Sequence, residues 1–123
     1  MDASPATYRK KVLFVCAQNK IRSVTAQKMF AGSPLYDVKS RGVAKEARVK
    51  LTESDIGWAD IIFVMEKKHK NRIAKDFRSA IIGKKIVCLF IKDIYDPMEE
   101  ELIAVLRQKL APHLLFPEKK DAC

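Results

Sequence analysis

The chain has 123 residues, 48% hydrophobic and 32% charged, with a formal net charge of +9. This length suits one compact domain and leaves no room for a second. No apolar run approaches the roughly 20 residues of a membrane-spanning helix, and the first residues lack a signal peptide's apolar stretch, so we expect a cytoplasmic protein with no membrane partner. We also expect a single domain over 1–123, with flexible tails at 1–9 and 117–123. The three cysteines lack the paired spacing of a disulfide framework or metal site.

The hydrophobic pattern predicts strands and helices in alternation along the chain. Predicted strands cover 11–16, 36–40, 60–65 and 85–91. Predicted helices cover 22–31, 67–77 and 97–110, and Thr52 with Asp55 has the capping-box pattern of a short helix within 45–58. Apolar strands separated by helices predict an α/β three-layer sandwich, in which helices flank a four-stranded parallel sheet.

The segment after the first strand is the most informative part of the sequence. There the strand runs into the thiol of Cys16, a short polar loop and Arg22. A loop of this length before a helix can curl around a tetrahedral anion. The predicted phosphate-binding residues are Ala17, Gln18, Asn19, Lys20, Ile21, Arg22 and Ser23. Cys16 would be the nucleophile, because a helix N-terminus and a guanidinium stabilise a thiolate, and Arg22 offers a planar fork to two phosphoryl oxygens.

Asn19 and Ser23 are predicted to shape this loop. Asparagine suits a left-handed backbone position or a local hydrogen bond, and the Ser23 hydroxyl can donate to the thiolate and cap the helix. The spacing of Cys16 and Arg22 alone is weak evidence, since a core cysteine and an ordinary surface arginine would look the same. The agreement of strand, turn residues, serine and helix favours the phosphate loop.

The chain resembles the low-molecular-weight protein tyrosine phosphatases, in particular a short bacterial type, over nearly its whole length. Four landmarks occur in the family's order, at 16–23, 40–42, 58–66 and 91–95. The resemblance implies a protein tyrosine phosphatase: a phosphomonoester hydrolase that forms a phosphocysteine intermediate and uses no metal or other cofactor. It implies a phosphorylated protein or a small aryl phosphate as the substrate. The same resemblance suggests a hydrogen bond between Ser40 and Asn19.

A general acid is expected after the fourth strand, because the carboxyl ends of parallel strands meet at one edge of the sheet. Two aspartates fit the family's pattern. Asp93 fits its aspartate-x-tyrosine stretch, which would make Tyr95 the aromatic residue that flanks the substrate, whereas Asp96 with Pro97 fits its usual aspartate-proline pair. Strand register favours Asp93 as a catalytic residue beside Cys16 and Arg22. Asp96 would then be a turn residue or a helix cap.

Departures from the commoner family pattern leave two alternatives open. Gln18 replaces a glycine, Val24 a proline, and Ile21 a second cysteine, so an oxidised Cys16 lacks a neighbouring thiol. One alternative is arsenate reduction, for which Cys88 and Cys123 would be the further cysteines. The other is a phosphate-binding module that carries phosphocysteine without hydrolysing it.

Basic residues concentrate between Lys67 and Lys85, where eight lysines and arginines stand against Asp76 alone. This basic face, residues 67–85, could guide an anionic macromolecule to the loop, or could be an ordinary solvated helix face. Nucleic acid is the less favoured partner, because no aromatic residues are interleaved with the basic ones. His69 is expected to face solvent from this helix, with positioning of the loop as its alternative role.

Overall fold

The computed structural model describes residues 9–116, which form strands and helices in alternation. The strands are β1 (Lys10–Cys16), β2 (Tyr36–Gly42), β3 (Ile61–Val64) and β4 (Lys85–Cys88). The helices are α1 (Arg22–Met29), α2 (Glu53–Trp58), α3 (Lys67–Asp76) and α4 (Glu100–Leu110). The tails predicted at 1–9 and 117–123 lie outside the described residues, except for Arg9.

The four strands form one sheet in the order β2-β1-β3-β4, and every neighbouring pair is parallel. Cys16 at the end of β1 pairs with Gly42 at the end of β2, and Val64 at the end of β3 pairs with Cys88 at the end of β4. All four carboxyl ends therefore meet at one edge of the sheet. The predicted α/β class and the four-stranded parallel sheet are confirmed.

Helices cover both faces of the sheet. Val12, Phe14 and Cys16 of β1 join a core cluster that includes Ala26 of α1 and the leucines of α4, whereas Leu13 and Val15 join a second cluster with Ile56 of α2 and Ile73 of α3. Because β1 is buried on both sides, its sequence is a continuous apolar run rather than an alternating one. The side chain of Cys16 belongs to the face covered by α1 and α4.

Two element boundaries differ from the prediction by three residues, and the other predicted boundaries differ by two residues or fewer. Strand β4 ends at Cys88 rather than at residue 91, because Phe90 has a left-handed φ of 55° that a strand cannot continue. Helix α4 begins at Glu100 rather than at Pro97, because Met98 has a φ of 59° and the Glu99 amide turns back to the Asp96 carbonyl. The resulting segment between β4 and α4 carries both candidate acids.

The short helix expected within 45–58 is α2, and its capping box is present. Thr52 Oγ1 accepts a hydrogen bond from the Asp55 amide, and the Thr52 amide donates to Asp55 Oδ2. Across residues 9–116, each helix is too short or too polar to cross a bilayer.

Candidate active site

A pocket lies at the carboxyl edge of the sheet, immediately beyond β1. Its walls are residues 16–18 and 20–22 of the loop between β1 and α1, together with Asp93 from the segment after β4. Parallel pairing explains this meeting, since the chain leaving β4 emerges at the same edge as the chain leaving β1. The structure thus brings together Cys16, Arg22 and Asp93.

The Cys16 sulfur is held by a short polar chain inside the loop. Its Sγ lies 3.0 Å from Ser23 Oγ, and Ser23 Oγ accepts a hydrogen bond from Asn19 Nδ2 at 3.0 Å. Because the Asn19 amide donates to that oxygen, the Ser23 hydroxyl hydrogen is left to donate to the sulfur. The prediction that Ser23 also caps α1 is wrong: Ile21 is the N-cap residue and makes no side-chain capping bond.

Asn19 has the left-handed backbone predicted for it, with a φ of 59°. The residue is fully buried, and its carbonyl accepts a hydrogen bond from Arg48 Nε at 3.0 Å, so the loop is fixed from both sides. The hydrogen bond suggested between Ser40 and Asn19 is not formed. Ser40 Oγ donates instead to Gln27 Oε1 at 2.5 Å, which ties β2 to α1.

Arg22 is almost fully buried, and one end of its guanidinium is anchored away from the pocket. Its Nη1 donates to Glu66 Oε2 at 2.5 Å and to the Ile91 carbonyl at 2.6 Å. Within residues 9–116, Nε and Nη2 make no hydrogen bond, and this planar edge matches two oxygens of a phosphoryl group. Asp93 Oδ1 lies 3.9 Å from Arg22 Nε.

The backbone of the loop adds further donors. Within residues 9–116, no amide N–H of residues 17–21 donates a hydrogen bond to a protein group. Amides of this kind, in a bend that precedes a helix, are the usual ligands of phosphate oxygens in proteins. The loop therefore offers backbone donors beside the Arg22 edge.

Glu66 and His69 stand behind Arg22. Burial of the Glu66 carboxyl group acts to raise its pKa. The hydrogen bond and the charge of Arg22 outweigh burial and hold the pKa of Glu66 below its ordinary value of 4.5. The expectation that His69 faces solvent is wrong: it is 1% exposed, and its Nδ1 accepts the Glu66 amide N–H at 3.1 Å. Burial and then the Arg22 charge lower the pKa of His69 to about 4, so the ring is neutral at pH 7.

Gly42 is a site residue whose role the sequence analysis missed. A Cβ atom at this position would lie 2.5 Å from the Ala17 carbonyl oxygen and 2.9 Å from the Asn19 amide nitrogen. The end of β2 therefore packs directly against the backbone of the loop, where only glycine fits. The sequence signal for this role was the position of Gly42 at the end of the second strand, next to the predicted loop in the sheet.

The segment after β4 separates the predicted acid and aromatic residues. Asp93 lines the pocket and is mostly exposed, whereas Asp96 is exposed and lies in the turn before α4, where its amide donates to Glu99 Oε1. Asp96 is not the cap of α4, whose N-cap residue is Glu99. Tyr95 is half-buried, does not line the pocket and packs against the core cluster of α1 and α4.

In residues 9–116, no three His, Cys, Asp or Glu side chains are grouped so that they could hold a metal ion. Cys16 and Cys88 both have free thiols. They lie on opposite faces of the sheet, since Cys88 packs against the cluster of α2 and α3.

No family model matches this chain, and no curated protein matches it significantly. Solved structures do match. The low-molecular-weight protein tyrosine phosphatase of Streptococcus pyogenes is 19% identical with a TM-score of 0.67, and the alignment covers 92% of this chain and 97% of that one. The tyrosine phosphatase AmsI of Erwinia amylovora is 23% identical with a TM-score of 0.67, over 87% of this chain and 94% of its own.

A third neighbour is the arginine phosphatase YwlE of Geobacillus stearothermophilus, 23% identical with a TM-score of 0.61, over 88% of this chain and 99% of its own. At these identities the similarity is one of fold, and it extends over nearly the full length of each neighbour. The family resemblance inferred from the sequence is confirmed at that level. This chain has the fold of the low-molecular-weight protein tyrosine phosphatases.

Proposed function

We propose that this chain is a cysteine-dependent phosphomonoester hydrolase of the protein tyrosine phosphatase type. The observation that carries the proposal is one pocket lined by Cys16, Arg22 and Asp93. A thiol supplies a nucleophile, a buried guanidinium supplies fixed charge for phosphoryl oxygens, and a carboxyl group supplies a proton. The fold shared with solved phosphatases supports the same conclusion.

In the first step, the Cys16 thiolate attacks phosphorus and the bond to the leaving oxygen breaks. Asp93 gives its proton to that oxygen, while the free edge of Arg22 and the amides of residues 17–21 bind the phosphoryl oxygens. In the second step, Asp93 takes a proton from the water that attacks phosphocysteine, which releases phosphate and the thiolate. Only groups of the chain and water take part.

The proposal is tested by steady-state hydrolysis of aryl phosphates whose leaving groups differ in basicity. Cys16→Ser should abolish turnover. Asp93→Asn should lower kcat by about a hundredfold or more for poor leaving groups and much less for good ones, because only poor leaving groups need the proton. Asp96→Asn is the matched control and should change little. A larger loss in Asp96→Asn would transfer the acid role to Asp96.

The two alternative functions, arsenate reduction and phosphocysteine transport, are distinguished from hydrolysis in different ways. Arsenate reduction through Cys16 and Cys88 is poorly supported, because these thiols lie on opposite faces of the sheet. Cys123, the other cysteine of that alternative, lies outside the described residues. A carrier of phosphocysteine would take up phosphate on Cys16 and release none. Mass spectrometry of the chain after a single turnover distinguishes this carrier from a hydrolase.

We propose a phosphorylated protein or a small aryl phosphate as the substrate, acted on in the cytoplasm, where a reducing environment preserves the thiol. The basic face, residues 67–85, would guide an anionic macromolecule to the pocket. Neutralising Lys67, Lys68 and Lys70 together should then lower kcat/KM for an acidic phosphoprotein and spare small aryl phosphates. Equal effects on both substrates would contradict this role.

A further inference from the structure

Phe90 is the only aromatic residue among the large apolar side chains that residues 9–116 leave exposed. It lies between the buried residues Leu89 and Ile91, yet 64% of it is exposed, and its backbone is left-handed with a φ of 55°. A bulky residue rarely adopts this conformation, and glycine or asparagine would fit with less strain. Strain of this kind, combined with exposure of an aromatic ring, is characteristic of a binding surface.

A groove runs beside the Phe90 side chain. Its walls are Glu66, Lys67, Phe90, Ile91 and Lys92, and we call it the Phe90 groove. Two of these walls also hold Arg22, since the Glu66 carboxylate and the Ile91 carbonyl both accept from Arg22 Nη1. The groove is therefore next to the phosphate pocket, with the Arg22 anchor between them.

The charges of the groove are complementary to an acidic ligand. Lys67 and Lys92 are both exposed, and neither forms an ion pair with any residue in 9–116. The negative charge of Glu66 is already engaged by Arg22. The groove thus presents two unpaired cations around one apolar ring.

We infer that the Phe90 groove binds an acidic segment of a phosphoprotein substrate, beside the phosphorylated residue, with an apolar part of that segment packed on the Phe90 ring. This inference rests on the proposed function and adds a preference for substrate sequence to it. A short peptide segment suits the groove better than a nucleic acid does, because single strands are usually bound along a line of several aromatic residues and cations. The groove makes Phe90, Lys67 and Lys92 specificity-determining residues.

The experiment measures the Kd of two fluorescent peptides by anisotropy. Each contains a non-hydrolysable phosphonate analogue of phosphotyrosine; one has two glutamates beside it, and the other has two glutamines there. Lys67→Gln and Lys92→Gln should each weaken the glutamate peptide about threefold and leave the glutamine peptide unchanged. Lys109→Gln, which removes an exposed lysine from α4 outside both the groove and the basic face, is the matched control and should change neither.

Phe90→Gly removes the ring and is compatible with the left-handed backbone. It should weaken the glutamate peptide about tenfold without lowering the melting temperature. Asparagine also tolerates this φ and leaves the loop less flexible than glycine does, so Phe90→Asn should have the same effect as Phe90→Gly. A fall in melting temperature with equal weakening of both peptides would make the ring part of the core and overturn the inference.

Hydrolysis of a small aryl phosphate by the same variants separates this inference from the proposed function. If the parent chain hydrolyses the aryl phosphate but binds both peptides equally, the groove inference fails and the proposed function stands. If the flank preference depends on Phe90, Lys67 and Lys92 but no hydrolysis occurs, the groove stands and the proposed function fails. A 3′-phosphorylated oligouridine that binds more tightly than the glutamate peptide, and whose binding depends on Phe90, would assign the groove to nucleic acid and overturn the inference.

Discussion

Arg22 and Glu66 are joined at 2.5 Å between Nη1 and Oε2, although they are 44 positions apart in the chain. Arg22 begins α1 and Glu66 is the N-cap residue of α3, so the bond links the elements that follow β1 and β3. The Ile91 carbonyl, which follows β4, accepts from the same nitrogen at 2.6 Å. The plane of the guanidinium is thus fixed by the chain before an anion binds, which reduces the ordering needed at binding.

Glu66→Gln should therefore weaken phosphate binding and catalysis. The amide keeps the shape but loses the charge, and a charge-assisted hydrogen bond is about twice as strong as a neutral one. We expect kcat/KM for an aryl phosphate to fall about tenfold, and the inhibition constant of inorganic phosphate to rise in parallel. Lys68→Gln is the control, because Lys68 approaches Glu66 only at 3.9 Å. An unchanged phosphate inhibition constant in Glu66→Gln would show that the anchor does not position Arg22.

Gly42→Ala should displace the loop between β1 and α1. Its Cβ would lie 2.5 Å from the Ala17 carbonyl oxygen, so the backbone of the loop must move. We expect a loss of about 2 kcal/mol in the free energy of unfolding, measured in urea, and a marked fall in kcat. Gly57→Ala is the matched control: a Cβ there meets nothing within 4 Å, and alanine favours the helix. Full activity in Gly42→Ala would contradict the close packing.

His69 should make the stability of the fold depend on pH. Its folded pKa of about 4 lies below the ordinary value of 6.5. Between these values the unfolded chain binds a proton that the folded chain does not, so stability falls as the pH falls from 6.5 to 4. His69→Gln should remove up to about 1.4 kcal/mol per pH unit of this slope in urea unfolding.

The pH range from 6.5 to 4.5 is the informative part of that measurement. The pKa of Glu66 is lowered below 4.5, so its contribution to stability is lost only at lower pH. Equal slopes for the parent chain and His69→Gln in this range would show that the ring accepts a proton as readily in the folded protein as in the unfolded one.

Peroxide should inactivate the protein with poor recovery. Ile21 stands beside Arg22 where many family members have a second cysteine, and Cys88 lies across the sheet from Cys16. Among residues 9–116, a sulfenic acid at Cys16 then has no thiol close by with which to form a protective disulfide, and oxidation continues to irreversible products. Activity should return only in part on addition of dithiothreitol. Ile21→Cys supplies the missing thiol and should recover more; complete recovery by the parent chain would contradict the prediction.

The sequence by itself determined the fold class and the location of the loop that we propose binds phosphate. Both follow from local patterns: apolar runs specify buried strands, and a thiol, turn residues and an arginine between strand and helix specify an anion loop. The left-handed Asn19 and the capping box of α2 were predictable for the same reason, because residue type controls local backbone conformation.

Only the tertiary structure decided what surrounds the loop. The anchoring of Arg22 by Glu66, the burial of His69 and the close packing of Gly42 all join segments that are distant in the chain. No local pattern specifies them, because they depend on strand order and register, which bring the ends of β1, β2, β3 and β4 to one edge. The segment that follows β4 at this edge places Asp93 rather than Asp96 at the pocket, and it leaves the Phe90 side chain exposed.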